Sequence, residues 1–260
     1  MTPLTRQHEL TGAFHEDGFA VARGFLAPSE VELVIERLER YVREIVPRLP
    51  DMDVFYEDKS AAGTDRSRAI RMLSRMQHHD EHFEALLHDE RFRALGEALW
   101  SGPVVPQDIA CFDKPTLNAA PTPAHQDGYY FIIEPCEAVT MWLALDRVDE
   151  ENGCLYYVRG SHRRGMRPHA RTSTLGFSQG ITDYPLPWDV EHEVKVTAEP
   201  GDLILHHGMT VHRAGGNRSP TRRRRALGLV YFSERARKDE EAQARYQKRL
   251  AEDLRRAGKI

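Results

Sequence analysis

Apolar residues recur at helical spacing through the first third of the chain and in short, turn-bounded runs after it, so a helical flank followed by many strands is predicted. Residues 5–50 read as helix, short strand, helix: Leu10 and Phe14 lead to the strand-like Phe19-Ala20-Val21-Ala22. Ala27-Pro28-Ser29-Glu30 then opens a helix striped by Val31, Leu33, Val34, Leu38 and Val42. Residues 51–67 are polar and broken at Ala61-Ala62-Gly63-Thr64, which predicts a loop. Helical periodicity returns over 70–99 through Leu73, Met76, Phe83, Leu86, Leu87, Phe92, Leu95 and Leu99. From 103 the texture changes, with β-prone segments at 104–112, 129–133, 138–145, 154–158, 193–198, 202–206 and 226–233. Helices first and strands after predict a β-sandwich or barrel carrying a helical layer. Residues 165–192 are rich in Gly, Pro and His without a period, the texture of a lid or an unstructured loop. Residues 234–260 are densely charged, with i,i+4 pairs that predict a solvated helix on which Tyr246 and Leu250 supply a docking edge. The expected organisation is one domain over 1–260: a mostly helical flank at 1–100, a β core at 103–233 and a charged C-terminal helix at 234–260.

Composition narrows the partners. A chain of 260 residues is long enough for one large core. A formal net charge of −4 argues against general attraction to nucleic acid or acidic membranes. Cys111, Cys136 and Cys154 are odd in number and lack paired spacing, which suits a reducing compartment. The opening Met1-Thr2-Pro3-Leu4-Thr5-Arg6 lacks the apolar core of a signal peptide, and no run approaches membrane-spanning length. A cytoplasmic protein is expected, with no nucleic-acid or membrane partner and its oligomeric state open.

The candidate chemistry lies in His125-Gln126-Asp127 with His212 far downstream. Two histidines and a carboxylate form the donor set of an iron(II) site with open coordination positions. On a strand, residues i and i+2 share a face, so His125 and Asp127 can aim at one metal; on a helix they diverge by about 200°. Pro115, Pro121 and Pro123 disfavour helix before the pair, and Tyr129-Tyr130-Phe131-Ile132-Ile133 predicts a strand after it. The same spacing at His15/Asp17 falls where a helix-like opening gives way to an apolar run with no metal-binding companion, and at His78/Asp80 it falls in a helical context where the side chains diverge. The histidines at 78, 79, 82 and 88 read as solvated helix faces. His206 and His207 compete with His212 for the distal position, and the turn context favours His212. In the run Thr221-Arg222-Arg223-Arg224-Arg225, alternation sets Arg224 on one face with Ala226, Gly228 and Val230. Small residues after an arginine suit a barrel interior in which a guanidinium grips a carboxylate through two hydrogen bonds.

Several further stretches recur in a recognisable order. These are Asp17-Gly18-Phe19, Gly24-Phe25-Leu26, Lys114-Pro115, His125-Gln126-Asp127 and Trp142-Leu143-Ala144-Leu145-Asp146. Glu151-Asn152-Gly153-Cys154-Leu155, Gly160-Ser161-His162, Pro200-Gly201-Asp202, His212 and Asn217-Arg218-Ser219 follow. Together they resemble the phytanoyl-CoA dioxygenase family of iron(II)/2-oxoglutarate oxygenases. The resemblance implies a mainly β fold with flanking helices and a double-stranded β-helix (jelly-roll) core. It implies catalytic iron(II) held by His125, Asp127 and His212, 2-oxoglutarate as cosubstrate, dioxygen, and a small-molecule substrate. An arginine after the distal histidine would bind the far carboxylate: counting from His212 favours Arg223, and counting back from the Tyr231 strand favours Arg224. Strand register fixes direction better than loop length, so Arg224 is preferred. Trp142 and Gln126 match positions lining the cosubstrate pocket, and Arg71 replaces a basic residue that the family carries ahead of its strands. Ala214 departs from a serine often found two residues past the distal histidine. Related halogenases lack the carboxylate, so Asp127 points to hydroxylation or another oxidation; the expected reaction is hydroxylation of an aliphatic C–H with release of succinate and carbon dioxide. The rival readings are a jelly-roll iron oxygenase that does not use 2-oxoglutarate and a catalytically silent ligand-binding sensor. Residues 51–67 and 165–192 are the candidates for closure over substrate.

Overall fold

The computed structural model describes residues 3–56, 69–116, 119–172 and 179–256. The breaker at 61–64, most of the loop expected at 51–67 and positions 173–178 of the long segment lie outside them. Helix α1 (Pro3–Asp17) runs into β1 (Phe19–Ala22) and α2 (Pro28–Glu44), as the spacing predicts. Proline stands in the first turn of α2, Glu30 accepts the Ala27 amide at 2.8 Å, and Val31, Val34, Leu38 and Tyr41 are buried. Strands β2 (Val54–Tyr56) and β3 (Ile70–Leu73) come next, then α3 (Glu81–Leu87) and α4 (Glu90–Trp100). The helix expected over 70–99 therefore starts as a strand and is cut in two. The carboxylates of Asp80 and Asp89 accept the amides of His82 and Arg91 as N-caps, a signal the periodicity passes over.

The β region comprises β4 (Val104–Lys114), β5 (Thr122–His125), a short helix α5 (Gly128–Phe131), β6 (Ile133–Glu134), β7 (Ala138–Ala144) and β8 (Leu155–Val158). After these come β9 (His169–Arg171), β10 (Gln179–Ile181), α6 (Pro187–His192), β11 (Glu193–Val196), β12 (Leu203–His207), β13 (His212–Ala214), β14 (Arg224–Ser233), β15 (Arg237–Lys238) and α7 (Glu240–Arg256). The strand expected at 129–133 is instead mostly the helical turn α5. The Gly128 amide donates to Gly208 O at 2.7 Å, and a Cβ on Gly128 would lie 2.5 Å from Cys136 Sγ, so the chain turns where only glycine fits. The described residues of 165–192 carry β9, β10 and α6.

Seven strands order as β1-β12-β7-β14-β4-β3-β2 and four as β11-β8-β13-β5, antiparallel where they pair. This is the jelly roll. Helices α1 to α4 cover the outer face of the larger sheet, burying Phe14, Leu38, Phe83 and Phe92 with Met141, Leu143, Leu227 and Leu229. The inner face, turned to the smaller sheet, carries Trp142, Ala144, Ile204 and Ala226 against Leu155, Tyr157 and Ala214. Strand β7 is buried along its whole length, so its two alternating sets serve two different cores.

The turn before β12 fastens the helical flank to this sheet. Asp202 accepts the amides of Gly24 and Glu199 at 2.7 and 2.9 Å and pairs with Arg23 at 2.7 Å. Gly201 has φ +88°, and a Cβ there would lie 2.4 Å from Leu26 O. Burial pushes the Asp202 carboxyl up, but the Glu199 amide, Arg23 and the Gly24 amide more than offset it and hold it below the usual carboxylate range. A lowered pKa contributes stability above the unfolded carboxyl's value near 3.8, and that stability is lost as pH falls through the folded value. Asp202→Asn should therefore destabilise the domain by about 1–3 kcal/mol at neutral pH. In thermal unfolding across an acid series the two proteins should converge as the pH drops.

Candidate metal and cosubstrate site

His125 closes β5, and His212 on β13 stands directly opposite it in the antiparallel register. Asp127 lies beyond the strand, in right-handed helical conformation at the start of α5. The alternation expected to align His125 with Asp127 is thus replaced by a strand end and the first turn after it. Nε2 of His125 is 3.4 Å and Nε2 of His212 is 3.7 Å from Asp127 Oδ1. One donor atom from each of the three lies within 4.8 Å of the others, and among the described residues no other group of His, Cys, Asp or Glu does this. The histidines at 78, 79, 82 and 88 form no such group.

Hydrogen bonds set the chemistry of each donor. Nδ1 of His125 is 2.8 Å from Pro123 O, and Nδ1 of His212 is 3.0 Å from Thr210 O. A carbonyl only accepts, so each Nδ1 carries the proton and each Nε2 presents its lone pair to the shared space. Burial holds His212 well below the usual imidazole value, with the neighbouring His125 and His206 adding to the effect. Burial pushes Asp127 the other way, but the neighbouring His212, His125 and His206 outweigh it and hold the carboxyl well below the usual carboxylate range. Neutral imidazoles and an ionised carboxylate are the forms that bind a divalent metal, so the residues fit one.

The same pocket collects cations. Arg71, Lys114, Trp142, Ala214 and Arg224 line it together with the His–Asp–His group. Arg224 is buried, sits opposite Lys114 in the β14–β4 register, and places its guanidinium 5.3 Å from the Trp142 ring centre. Its guanidinium forms no hydrogen bond or ion pair among the described residues, and its buried Nε is left without an acceptor. Burial pulls its pKa down to about 10, Arg71 pulling the same way and Asp113 opposing. A buried cation lacking its anion is costly, and a ligand carboxylate would complete it. Arg223 points to the other side of the sheet: it is ion-paired with Asp113 and borders a separate cleft beneath α2. Arg71 is buried, with its Nη atoms 3.4 Å from Ala120 O and Pro121 O.

Gln126 departs from its expected place on the cosubstrate. Its amide donates to Gly165 O at 3.0 Å and Met209 O at 2.7 Å, and its oxygen accepts the Arg167 amide at 2.8 Å. It does not line the pocket; it fastens the 165–167 segment to the strand that carries His125. Tyr129, stacked 4.3 Å from His169, and Tyr130, bonded to Gln179 O at 2.9 Å, add to this anchoring. Lys114 and Thr140 line the site without having been singled out for it, and His206, weighed only as a rival ligand, lines it as well with Tyr157 behind it. The strand period marks Lys114 with Phe112 and Thr140 with Trp142, so alternation could have found both.

A jelly roll that buries two histidines and a carboxylate beside an arginine with no ion pair among the described residues belongs to the class of double-stranded β-helix proteins with a two-histidine, one-carboxylate donor set. Comparison with known proteins narrows the class. The family profile described as Phytanoyl-CoA dioxygenase (PhyH) matches residues 14–226, and the chain belongs to this family. It is 27% identical over 227 residues to the peroxisomal phytanoyl-CoA dioxygenase of Mus musculus, covering 79% of this chain and 62% of that one. The chain thus spans about three-fifths of the length of that relative. Among solved structures, EvdO2 of Micromonospora carbonacea var. aurantiaca is 26% identical with a TM-score of 0.68, covering 87% of this chain and 90% of that one. The epimerase SnoN in complex with Fe3+, alpha ketoglutarate and nogalamycin RO is 23% identical with a TM-score of 0.72, covering 90% and 86% of the two chains. That last likeness is one of fold.

Proposed function

We propose that this protein is an iron(II)- and 2-oxoglutarate-dependent dioxygenase that hydroxylates an aliphatic C–H of a small molecule. The observation that carries the reading is one pocket holding both the convergent His125, Asp127 and His212 donors and the buried Arg224, which has no ion pair among the described residues. His125 Nε2, Asp127 Oδ1 and His212 Nε2 would hold the iron. Arg224 would bind the far carboxylate of 2-oxoglutarate, with Trp142 shielding that contact from water and Arg71 adding positive potential. When bound, the metal and cosubstrate supply dioxygen activation coupled to decarboxylation to succinate and carbon dioxide. The chain's own part is to orient and exclude water. The carbonyls of Pro123 and Thr210 lock both imidazole tautomers, and Gln126 ties the 165–167 wall to the metal strand.

The unpaired arginine favours this reading over an iron oxygenase without a keto acid, which needs no buried anion receptor. A silent sensor would likewise need no full donor set. Three free cysteines support a reducing cytoplasm, and among the described residues no helix is long and apolar enough to cross a membrane. Anaerobic titration of the apo-protein with iron(II) and then 2-oxoglutarate should produce a visible charge-transfer band that is absent with either alone. A folded protein that binds iron but shows no band with the keto acid would move the reading to the 2-oxoglutarate-independent alternative.

A further inference from the structure

The two oxygens of Asp127 have different surroundings. Oδ1 faces the Nε2 atoms of His125 and His212. Oδ2 accepts the Thr140 hydroxyl at 2.6 Å and lies 3.0 Å from His206 Nε2. Thr140 and His206 are cross-strand partners on β7 and β12, so both reach the same oxygen from the inner face of the larger sheet. Behind His206, the Tyr157 hydroxyl lies 2.9 Å from Nδ1. Tyr157 is fully buried, stacked on Phe19 at 4.6 Å and 13°, and its backbone sits opposite His212 in the β8–β13 register.

For a neutral His206 ring these contacts fix the direction of each hydrogen bond. An ionised carboxylate only accepts, so His206 Nε2 carries the hydrogen. Nδ1 is then the acceptor, and the Tyr157 hydroxyl donates to it. The result is a buried relay from Tyr157 through His206 to Asp127 Oδ2.

We propose that His206 is a positioning residue for the metal carboxylate, with Tyr157 selecting its tautomer; this rests on the metal reading above. By occupying Oδ2 together with Thr140, His206 leaves Oδ1 as the single oxygen turned to the imidazoles. With Oδ2 engaged, the carboxylate would offer a metal one oxygen rather than two, leaving room for cosubstrate. His206 is itself a candidate fourth ligand, its ring 4.4 Å from that of His212, but its Nε2 is already committed to Asp127.

The test is anaerobic Co(II) titration of the apo-protein, reading the dissociation constant and the visible d–d spectrum. Wild-type binding that disappears in Asp127→Ala establishes the metal site; if wild type binds no metal, the metal reading itself fails, separately from this inference. His206→Phe should weaken Co(II) binding by about 10- to 100-fold, the usual cost of losing an outer hydrogen-bond partner of a ligand. His206→Gln, whose amide nitrogen keeps a donor near the Nε2 position, should recover most of that loss. Tyr157→Phe should weaken binding on its own and add nothing in the His206→Phe background, as a group that acts only through His206 must. Wild-type affinity in His206→Phe, full additivity of the two changes, or complete loss of metal in His206→Gln as in His212→Ala would each overturn the proposal. If His206→Phe does not fold, Tyr157→Phe alone decides: a weaker constant with a shifted spectrum supports the relay, and wild-type values for both overturn it.

Discussion

Asp127→Ala is expected to abolish metal-dependent turnover while leaving the domain folded. The loss should exceed about 100-fold, the upper end of what an outer hydrogen-bond partner of a ligand costs, because the substitution removes a donor atom itself. Folding should survive because Asp127 sits in the turn after β5 and contributes no apolar surface to either core. Circular dichroism and the unfolding midpoint of the apo-protein check that half of the expectation. Metal titration and succinate release check the other. Retained metal affinity in a folded Asp127→Ala protein would mean that the metal, if any, is held elsewhere.

The second large effect separates two neighbouring arginines. Arg224→Ala should raise KM for 2-oxoglutarate by a factor equivalent to about 2–5 kcal/mol, the cost of deleting one partner of a buried charge pair. That range corresponds to roughly 30- to several-thousand-fold. With the keto acid saturating, kcat should change much less, since the interaction is made before and during the reaction alike. Arg224→Lys should fall between, because an ammonium cannot reproduce the two-pronged geometry. Arg223→Ala should leave KM for 2-oxoglutarate near wild type and lower stability instead, since it strips the partner from the buried Asp113 carboxyl. A KM effect in Arg223→Ala with none in Arg224→Ala would reverse the assignment.

Much of this arrangement was legible in residue order. Small residues alternating after Arg224 correctly marked the inner face of β14, because a period of two is enforced wherever both faces of a strand are buried. The helix α2 was legible for the same kind of reason, its stripe and its proline start agreeing. What escaped was decided at a distance. The run 129–133 has strand-forming residues, yet Gly128 is squeezed between Cys136 and Gly208, contacts that no local window contains. Residues 70–73 continue a helical pattern but pair with β4. Gln126 stands between two candidate ligands and so reads as a pocket residue, whereas its partners lie 39, 41 and 83 positions away. His206 competed with His212 in sequence; in space the two are neighbours, one facing the shared donor space and the other the back of Asp127.

Because β7 is buried on both sides, it has no tolerance for insertion. Its inward set, Thr140, Trp142 and Ala144, touches the Asp127 carboxylate and the Arg224 pocket; its outward set, Val139, Met141 and Leu143, belongs to the core under the helices. Adding or deleting one residue in this strand would exchange the two sets. Val139 or Met141 would then face the metal donors, and a threonine hydroxyl would be stranded among the leucines. Changes in chain length that modify substrate choice are therefore confined to the connecting segments, and the strand itself can vary only by like-for-like replacement.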